Sequence, residues 1–490
     1  MPVPRSVEPR PAHRPAPSRR ALMRGAAWSV PVVAAAAVAA PAFAVSCPPE
    51  WTSALGRGKV LSGGLFSADL DTLASVNGVI ASAPTMVTET GVQHSSSGEG
   101  DPDEHYNPLS IELLSDINVD IGGVGVALTS ILSGLTPANV GLVNQYGLGD
   151  STGISIGASG YVDNNGAVSA RPSGGYPEMG RLNLKALLTP LLSGAGATFL
   201  ANNVADLSLE IGALAGRART EWTCVTESVS SLERDYLLAN LRLTIESALV
   251  KNLVSVLNTA VLGISIPLVG GLKVDATVLT NGPLPSGTKQ PIQADLAAGT
   301  ITVDLGALLG GDDFGANYSE WLNGRKANTL LFVDTPIPSS ALTNFLSGLI
   351  TGLEDRLLDA VSVTILSNTG TLRSLLSIPV IGDTLKLLIK TINGLFTNAG
   401  PVKTALDAVS NLLSTVFGWL TDVINLRVNA QNLPEGNTSD SASLHAGPNR
   451  WQSLPARRYD VAALGVSAVQ NATLLDLFLG RGSVGPVEKL

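Results

Sequence analysis

Between Asp120 and Asp150 the chain runs 29 residues without a charge. So apolar a segment has three outlets: a membrane span, a packed core, or the wall of an apolar cavity. The residues oppose the first. Gly122, Gly123, Gly125, Pro137, Asn139 and Asn144 interrupt the run, and no Lys or Arg anchors flank it. Lys251 to Lys273 shows the same pattern and is broken by Asn252, Asn258, Pro267 and Gly270-Gly271. Both stretches are therefore expected as buried core elements, and the mature chain as free of transmembrane segments. Charged residues make up only 14% of the 490 positions, against the usual ~25%. Hydrophobic residues reach 45%, which suits a large packed body and excludes a disordered one. The formal net charge of −9 repels phosphate backbones, so nucleic acid is not an expected partner.

The start of the chain reads as an export signal over residues 1–44. Ser18-Arg19-Arg20-Ala21-Leu22-Met23-Arg24 resembles a twin-arginine consensus, with Arg19 and Arg20 as the pair. A small-residue apolar stretch follows from Ala26 through Ala40. Ala42 and Ala44 then stand at −3 and −1 of a signal-peptidase site before Val45. The competing reading, an uncleaved membrane anchor, is opposed by Pro31 and Pro41. The expected location is the cell surface or the extracellular medium, by the twin-arginine or the general secretory route. Residues 45–58 read as a linker and 59–486 as the extracellular body, with a candidate subdomain break near 281–300.

Two cysteines are present, Cys47 and Cys224. An even count in an oxidising compartment is most simply explained by a disulfide between them. Lipidation of Cys47 and two free thiols remain as alternatives. The spacing fits no zinc site, and no metal or cofactor is expected.

Along the body, Ile154 to Ser169 reads as a hairpin turning at Asp163-Asn164-Asn165-Gly166. Arg234 to Leu257 reads as a strand, Tyr236–Ile245, running into a helix whose buried face carries Leu249, Leu253, Val256 and Leu257. Val274–Val278 and Ile301–Leu305 read as strands by β-branching. Leu342–Ala360, Thr384–Leu395 and Val402–Trp419 have helical periodicity, Asn425–Asn429 is a strand, and Arg458–Val469 with Thr473–Leu479 form a closing strand pair. Ala81–Pro108 and Asn432–Ser453 read as polar loops. The fold class expected is α+β, mostly antiparallel β-sheet with apolar helical insertions.

Chemistry is sparse in this pattern. Gly153-Ile154-Ser155-Ile156-Gly157 matches the nucleophile-elbow motif, but that motif needs a strand, a strained turn and a helix. A hairpin follows here, so Ser155 is expected mid-strand. His445 is the single histidine downstream of Ser155 that could serve it as a base. Asp101-Pro102-Asp103-Glu104-His105 and Gly311-Asp312-Asp313-Phe314-Gly315 read as solvated loops rather than metal or acid–base sites. No catalytic residue is assigned.

Gly58-Lys59-Val60-Leu61-Ser62-Gly63, Asn107-Pro108-Leu109, Val143-Asn144-Gln145-Tyr146 and Leu479-Gly480-Arg481-Gly482-Ser483-Val484-Gly485-Pro486 together resemble the choice-of-anchor G family of secreted surface proteins of high-GC Gram-positive bacteria. The resemblance spans Gly56 to Pro486. It implies a secreted or surface-borne body with no activity and no catalytic residues to carry over. Leu433-Pro434-Glu435-Gly436 lacks the Thr-Gly of a sortase signal, and no C-terminal sortase anchor is expected. The function expected is a non-enzymatic structural or adhesion-type body, whose partner is a component of the cell envelope or of an extracellular surface. A binder of lipid or another apolar ligand and a secreted hydrolase are the alternatives.

Overall fold

The computed structural model describes residues 54–66, 68–72, 78–84, 102–108, 143–171, 176, 180–223, 228–287, 290–310, 318–365, 367–378, 382–397, 399–432, 443–469 and 474–486, with short pieces at 87, 90, 92–94, 118–121 and 124–127. The export signal, with Arg19, Arg20, Ala42 and Ala44, lies outside the described residues, as do Cys47 and Cys224. Every structural statement below concerns the described residues.

Ten strands build two facing antiparallel sheets. They are β1 (Ala54–Leu65), β2 (Gly78–Ala83), β3 (Asp103–Pro108), β4 (Asn144–Gly149), β5 (Ile154–Gly160), β6 (Ala213–Thr223), β7 (Ser228–Ala239), β8 (Ile424–Gln431), β9 (Tyr459–Ala468) and β10 (Leu475–Val484). The first sheet runs β8-β9-β10-β1-β2, extended at its edges by Thr329–Leu330 beside β8 and by Val92–His94 parallel to β2. The second runs β7-β6-β5-β4-β3. The first and last long strands are therefore neighbours, paired from Gly56↔Val484 to Leu65↔Leu475. β1 begins at Ala54, inside the segment expected to be a linker.

What brings the sheets together is written as Gly-Arg-Gly-Lys at 56–59 and Gly-Arg-Gly-Ser at 480–483. Alternation in a strand sends successive side chains to opposite faces. Gly56, Gly58 and Gly482 face the second sheet, and Arg57, Lys59, Arg481 and Ser483 face away from it. A Cβ at Gly58 would lie 2.0 Å from the carbonyl oxygen of Ala158, and one at Gly482 would lie 2.3 Å from that of Gly157. Backbone therefore rests on backbone, well inside the ~10 Å at which facing sheets usually stand. Ser159 Oγ donates across this seam to the Arg481 carbonyl at 2.9 Å.

Helices, a further five-stranded sheet, a three-stranded sheet (Val269–Val274, Val361–Ile365 and Asn368–Thr371) and a two-stranded pair (Asn118–Ile121 and Val124–Ala127) complete the described body. The five-stranded sheet is ordered Gly180–Asn183, Asp206–Ile211, Arg242–Glu246, Thr300–Asp304 and Ile292–Asp295. The long helices are α1 (Ala248–Leu262), α2 (Ala341–Ala360), α3 (Gly382–Thr397) and α4 (Pro401–Asp422). Pro401 sits where a helix has no use for its missing N–H. Val402, Leu406, Val409, Leu413, Val416 and Leu420 form the buried stripe of α4, which packs on α1. Each such side chain contributes about 1.5–3 kcal/mol on burial. One continuous hydrophobic core joins these helices to β1, β9 and β10.

The chain is thus α+β with mainly antiparallel sheets, as its sequence implied, and the three later helices fall where the periodicity put them. The last strand of the closing pair runs on to Val484, five residues past its expected end at Leu479. Four local readings need correction. The expected strand Tyr236–Ile245 is two strands, because Asn240 takes φ +52° and turns the chain between them. The helix that follows buries Leu253 and Leu257 as expected but centres its face on Val250 and Val261 as well, with Leu249 and Val256 half-buried at its margins. Val274–Val278 ends its strand at Val274, since Asp275 accepts the Thr277 N–H at 2.9 Å and caps a short helix. The supposed loop 81–108 contributes strands that contain His94 and His105.

Candidate functional site

The outward face of β1, β9 and β10 gathers an ion-pair network that the alternation described above creates. Register places Asp460, Ser483 and Arg57 in one cross-strand row, and Ala462, Arg481 and Lys59 in the next. Lys59 and Arg481 are like charges directly opposite one another, an arrangement that costs stability when left alone. Asp71, from the turn after β1, serves both. Lys59 Nζ donates to its carbonyl at 3.0 Å, and Arg481 Nη1 reaches its carboxylate at 3.1 Å. Arg450 also bonds Asp71, at 3.1 Å, and pairs with Asp69.

Asp460 is the innermost member, with no exposure at all. Arg481 binds it through Nε and Nη2, at 2.7 and 2.6 Å, and Arg458 Nε lies 3.2 Å from its other oxygen. Burial by itself would raise its pKa, but Arg458 and Arg481, with Arg57 further off, outweigh that and hold it at about 2. Asp71 is likewise held below the ordinary range: burial opposes the charge, and Arg481, Lys59 and Arg450 override it. Asp476 goes the other way, to about 6, because burial outweighs Arg427 and Arg450. Beside the network lies a cavity of about 160 Å³ bordered by Arg57, Lys59, Asp71, Arg458 and Arg481. Chemically the network is a clamp. It joins the first strand to the last two through charge-assisted hydrogen bonds.

Gly480 shapes the same face. Its φ of +63° breaks the two-residue alternation, so Phe478 and Arg481, three residues apart, reach the same side. Both touch Trp451, Phe478 with ring centroids 4.3 Å apart and Arg481 with its guanidinium carbon 4.8 Å from the ring centroid. Trp451 falls in the stretch expected to be a polar loop; its partners are strand residues remote in sequence, and only its own apolar bulk hinted at burial.

The residues considered for catalysis are not brought together. Ser155 lies in β5 as its second residue, paired with Gly149 and Thr220, fully buried, and its Oγ has no partner. His445 instead bonds Asp334 through Nε2 at 2.8 Å, with Asp334 also accepting the Leu330 N–H. Asp103 and Glu104 lie on β3, and no group of three metal-ligating side chains occurs among the described residues. Asp312 and Asp313 lie outside them. Removing the buried, unpartnered hydroxyl in Ser155→Ala should raise stability by about 1 kcal/mol and leave turnover of small chromogenic esters unchanged. A tenfold fall in ester turnover would contradict the strand geometry.

The family of a domain of unknown function (DUF8394) matches residues 56–284. The match begins in β1 and ends before β8, β9 and β10, so the first sheet is completed by strands beyond it. No curated protein and no solved structure matches the chain. No helix among the described residues is long and apolar enough to cross a membrane.

Proposed function

We propose that this chain is an exported, non-enzymatic structural body displayed at or released from the cell surface, in keeping with its resemblance to choice-of-anchor G proteins. The observation that supports it most is the seam between the two sheets. Gly56, Gly58, Gly157, Gly216 and Gly482 each sit so close to a facing carbonyl that a methyl group would collide with it. The interior where a β-sandwich could house an apolar ligand is filled by main chain. With the seam clamped by the Asp460 network, the body is suited to holding a shape outside the cell, and its outer faces are what a partner would meet.

The test is made on the native producer. Mature protein recovered from medium and washed cells should start at Val45, and replacing Arg19 and Arg20 by Lys should abolish its appearance outside the membrane. Recovery of the chain with Met1 intact in the cytosol would overturn the export reading. Unaffected export of the Lys variant would transfer it to the general secretory route. Purified mature protein should co-sediment with envelope fragments or remain in the medium without turning over ester, glycoside or peptide substrates; saturable turnover would overturn the structural role.

A further inference from the structure

The sequence places Lys251–Lys273 in the core, and α1 takes the first part of that stretch there. The rest emerges. From Leu262 through Val274 no residue is buried, although Leu262, Ile264, Ile266, Leu268, Val269 and Leu272 are all large and apolar. We propose that this projecting tip inserts into a lipid surface and is the point at which the body touches a membrane. Leu268 is 65% exposed, the most of any large apolar side chain among the described residues, and Leu262 is 48% exposed. Leu268 also sits at φ +71°, in a turn that the Val269 N–H closes on the Ile266 carbonyl at 3.1 Å, with Pro267 before it. Glycine or asparagine normally fills that turn position, and leucine strains the backbone there. A side chain that strains its own turn and leaves its apolar surface in water serves the fold poorly, so its use lies outside the fold.

What surrounds the tip selects a bilayer over a protein groove. The three-stranded sheet pairs Val269 with Ile365 and Ile365 with Asn368, so the tip lies beside the end at which Val361–Ile365 turns into Asn368–Thr371. Neither 252–272 nor 361–372 contains a charged residue. Two segments remote in sequence thus meet at one end of the sheet with no charge to desolvate, whereas protein interfaces carry a polar rim. The backbone suits hydrocarbon as well: Pro267 has no N–H, and the Val269 N–H is satisfied within the turn. The first charge beyond the tip is the exposed Lys273, five residues from Leu268. That separation is at most about 16 Å along an extended chain. With the turn sunk about 5–10 Å into the headgroup region, the Lys273 ammonium reaches the phosphates. From Ser247 to Val274 the only charges are Lys251 and Lys273, in a chain of net charge −9, so this segment complements anionic lipid. The contact goes beyond the structural role proposed above, which needs no lipid.

The test uses the full mature chain and two kinds of vesicle, one of phosphatidylcholine and one with about a third phosphatidylglycerol. The chain should co-float with both, and about fivefold more tightly with the anionic one, as one lysine near the surface provides. Leu268→Asn suits a left-handed turn and removes apolar surface. It should weaken flotation about tenfold while the melting temperature holds or rises. Leu268→Gly, equally at ease at that φ, carries the same flotation result should the asparagine variant misfold. Val333→Asn, at a residue 54% exposed in the turn beyond Thr329–Leu330, should float like the parent. No flotation with either vesicle at about 5 mM lipid, tighter flotation with the zwitterionic one, or flotation unaltered in both Leu268 variants would each overturn the proposal. So would self-association in lipid-free buffer that Leu268→Asn abolishes, because the tip would then be covered by a second copy of the chain. None of these outcomes touches the structural role, which rests on the glycine seam and is tested by export and turnover.

Discussion

Gly157→Ala should unfold the protein or cost it about 4 kcal/mol or more, a loss reserved for clashes that cannot relax. The added Cβ would lie 2.2 Å from the carbonyl oxygens of both Arg57 and Ser483, in β1 and β10 of the facing sheet. Gly157 has no positive φ, so alanine can adopt its backbone and the cost is steric alone. Neither carbonyl can retreat. Arg57 and Ser483 are paired with each other and each is paired on its other side as well, Arg57 with Ile80 and Ser483 with Asp460, so relief would require the sheets to move apart at the seam. The same substitution in α4 supplies the control. Gly418 has nothing within 4 Å of an added Cβ, and alanine there should stabilise by about 0.5–1 kcal/mol through helix propensity. Urea melts of the two variants should move in opposite directions. A Gly157→Ala protein that melts like the parent would show that the sheets stand further apart than the seam requires.

How much of this was legible from the sequence follows from the range of the forces involved. Helices α2, α3 and α4 announce themselves because their apolar stripes repeat every three or four residues within one segment. The strand identity of Ser155 was legible for a similar reason: Ile154, Ile156 and Ala158 alternate and a turn follows. Asn240 and Asp275 were misread although their signals are local. A run of β-branched and apolar residues outweighed one Asn able to take a left-handed conformation and one Asp able to cap. Gly-Arg-Gly at 56–58 and again at 480–482 carries the clearest unused signal. Glycine at every second position leaves one strand face bare, which is economical only where another backbone comes very close. That the two motifs are paired neighbours is invisible in the sequence, because 428 residues separate Arg57 from Gly485, whose carbonyl it bonds. The Asp71–Arg481 pair and the Trp451–Phe478 contact were hidden likewise, since their parts meet only after the last strand joins the first.

Asp460→Asn should be the most damaging change among the charged residues, and its pH signature should identify the cause. The carboxylate is fully buried between Arg481 and Arg458, and Arg481 is itself only 6% exposed. Neutralising Asp460 removes the carboxylate that Arg481 grips through two nitrogens, and breaking a buried pair in this way costs about 3–5 kcal/mol. The sign of the pH effect follows from the direction of each shift. Asp460 titrates near 2 in the fold, below its ordinary 3.8, so its contribution is complete above pH 3.8 and is lost as pH falls toward 2. Asp476 titrates near 6, above its ordinary 3.8, so its contribution is complete below pH 3.8 and is lost as pH rises through 6. From these two groups the parent should be most stable near the ordinary carboxylate value of 3.8 that both share, with Asp476 governing the loss toward neutral pH and Asp460 the loss toward acid. Asp460→Asn should lower the melting temperature at pH 7 and flatten the acid limb. Asp476→Asn should do the reverse, raising it at pH 7 and flattening the neutral limb, because it removes a charge that burial disfavours. Melting curves from pH 2 to 8 on the parent and both variants decide the matter. A parallel drop across that range for Asp460→Asn would mean that lost packing, and not the charge held between the two arginines, is what closes the first strand onto the last.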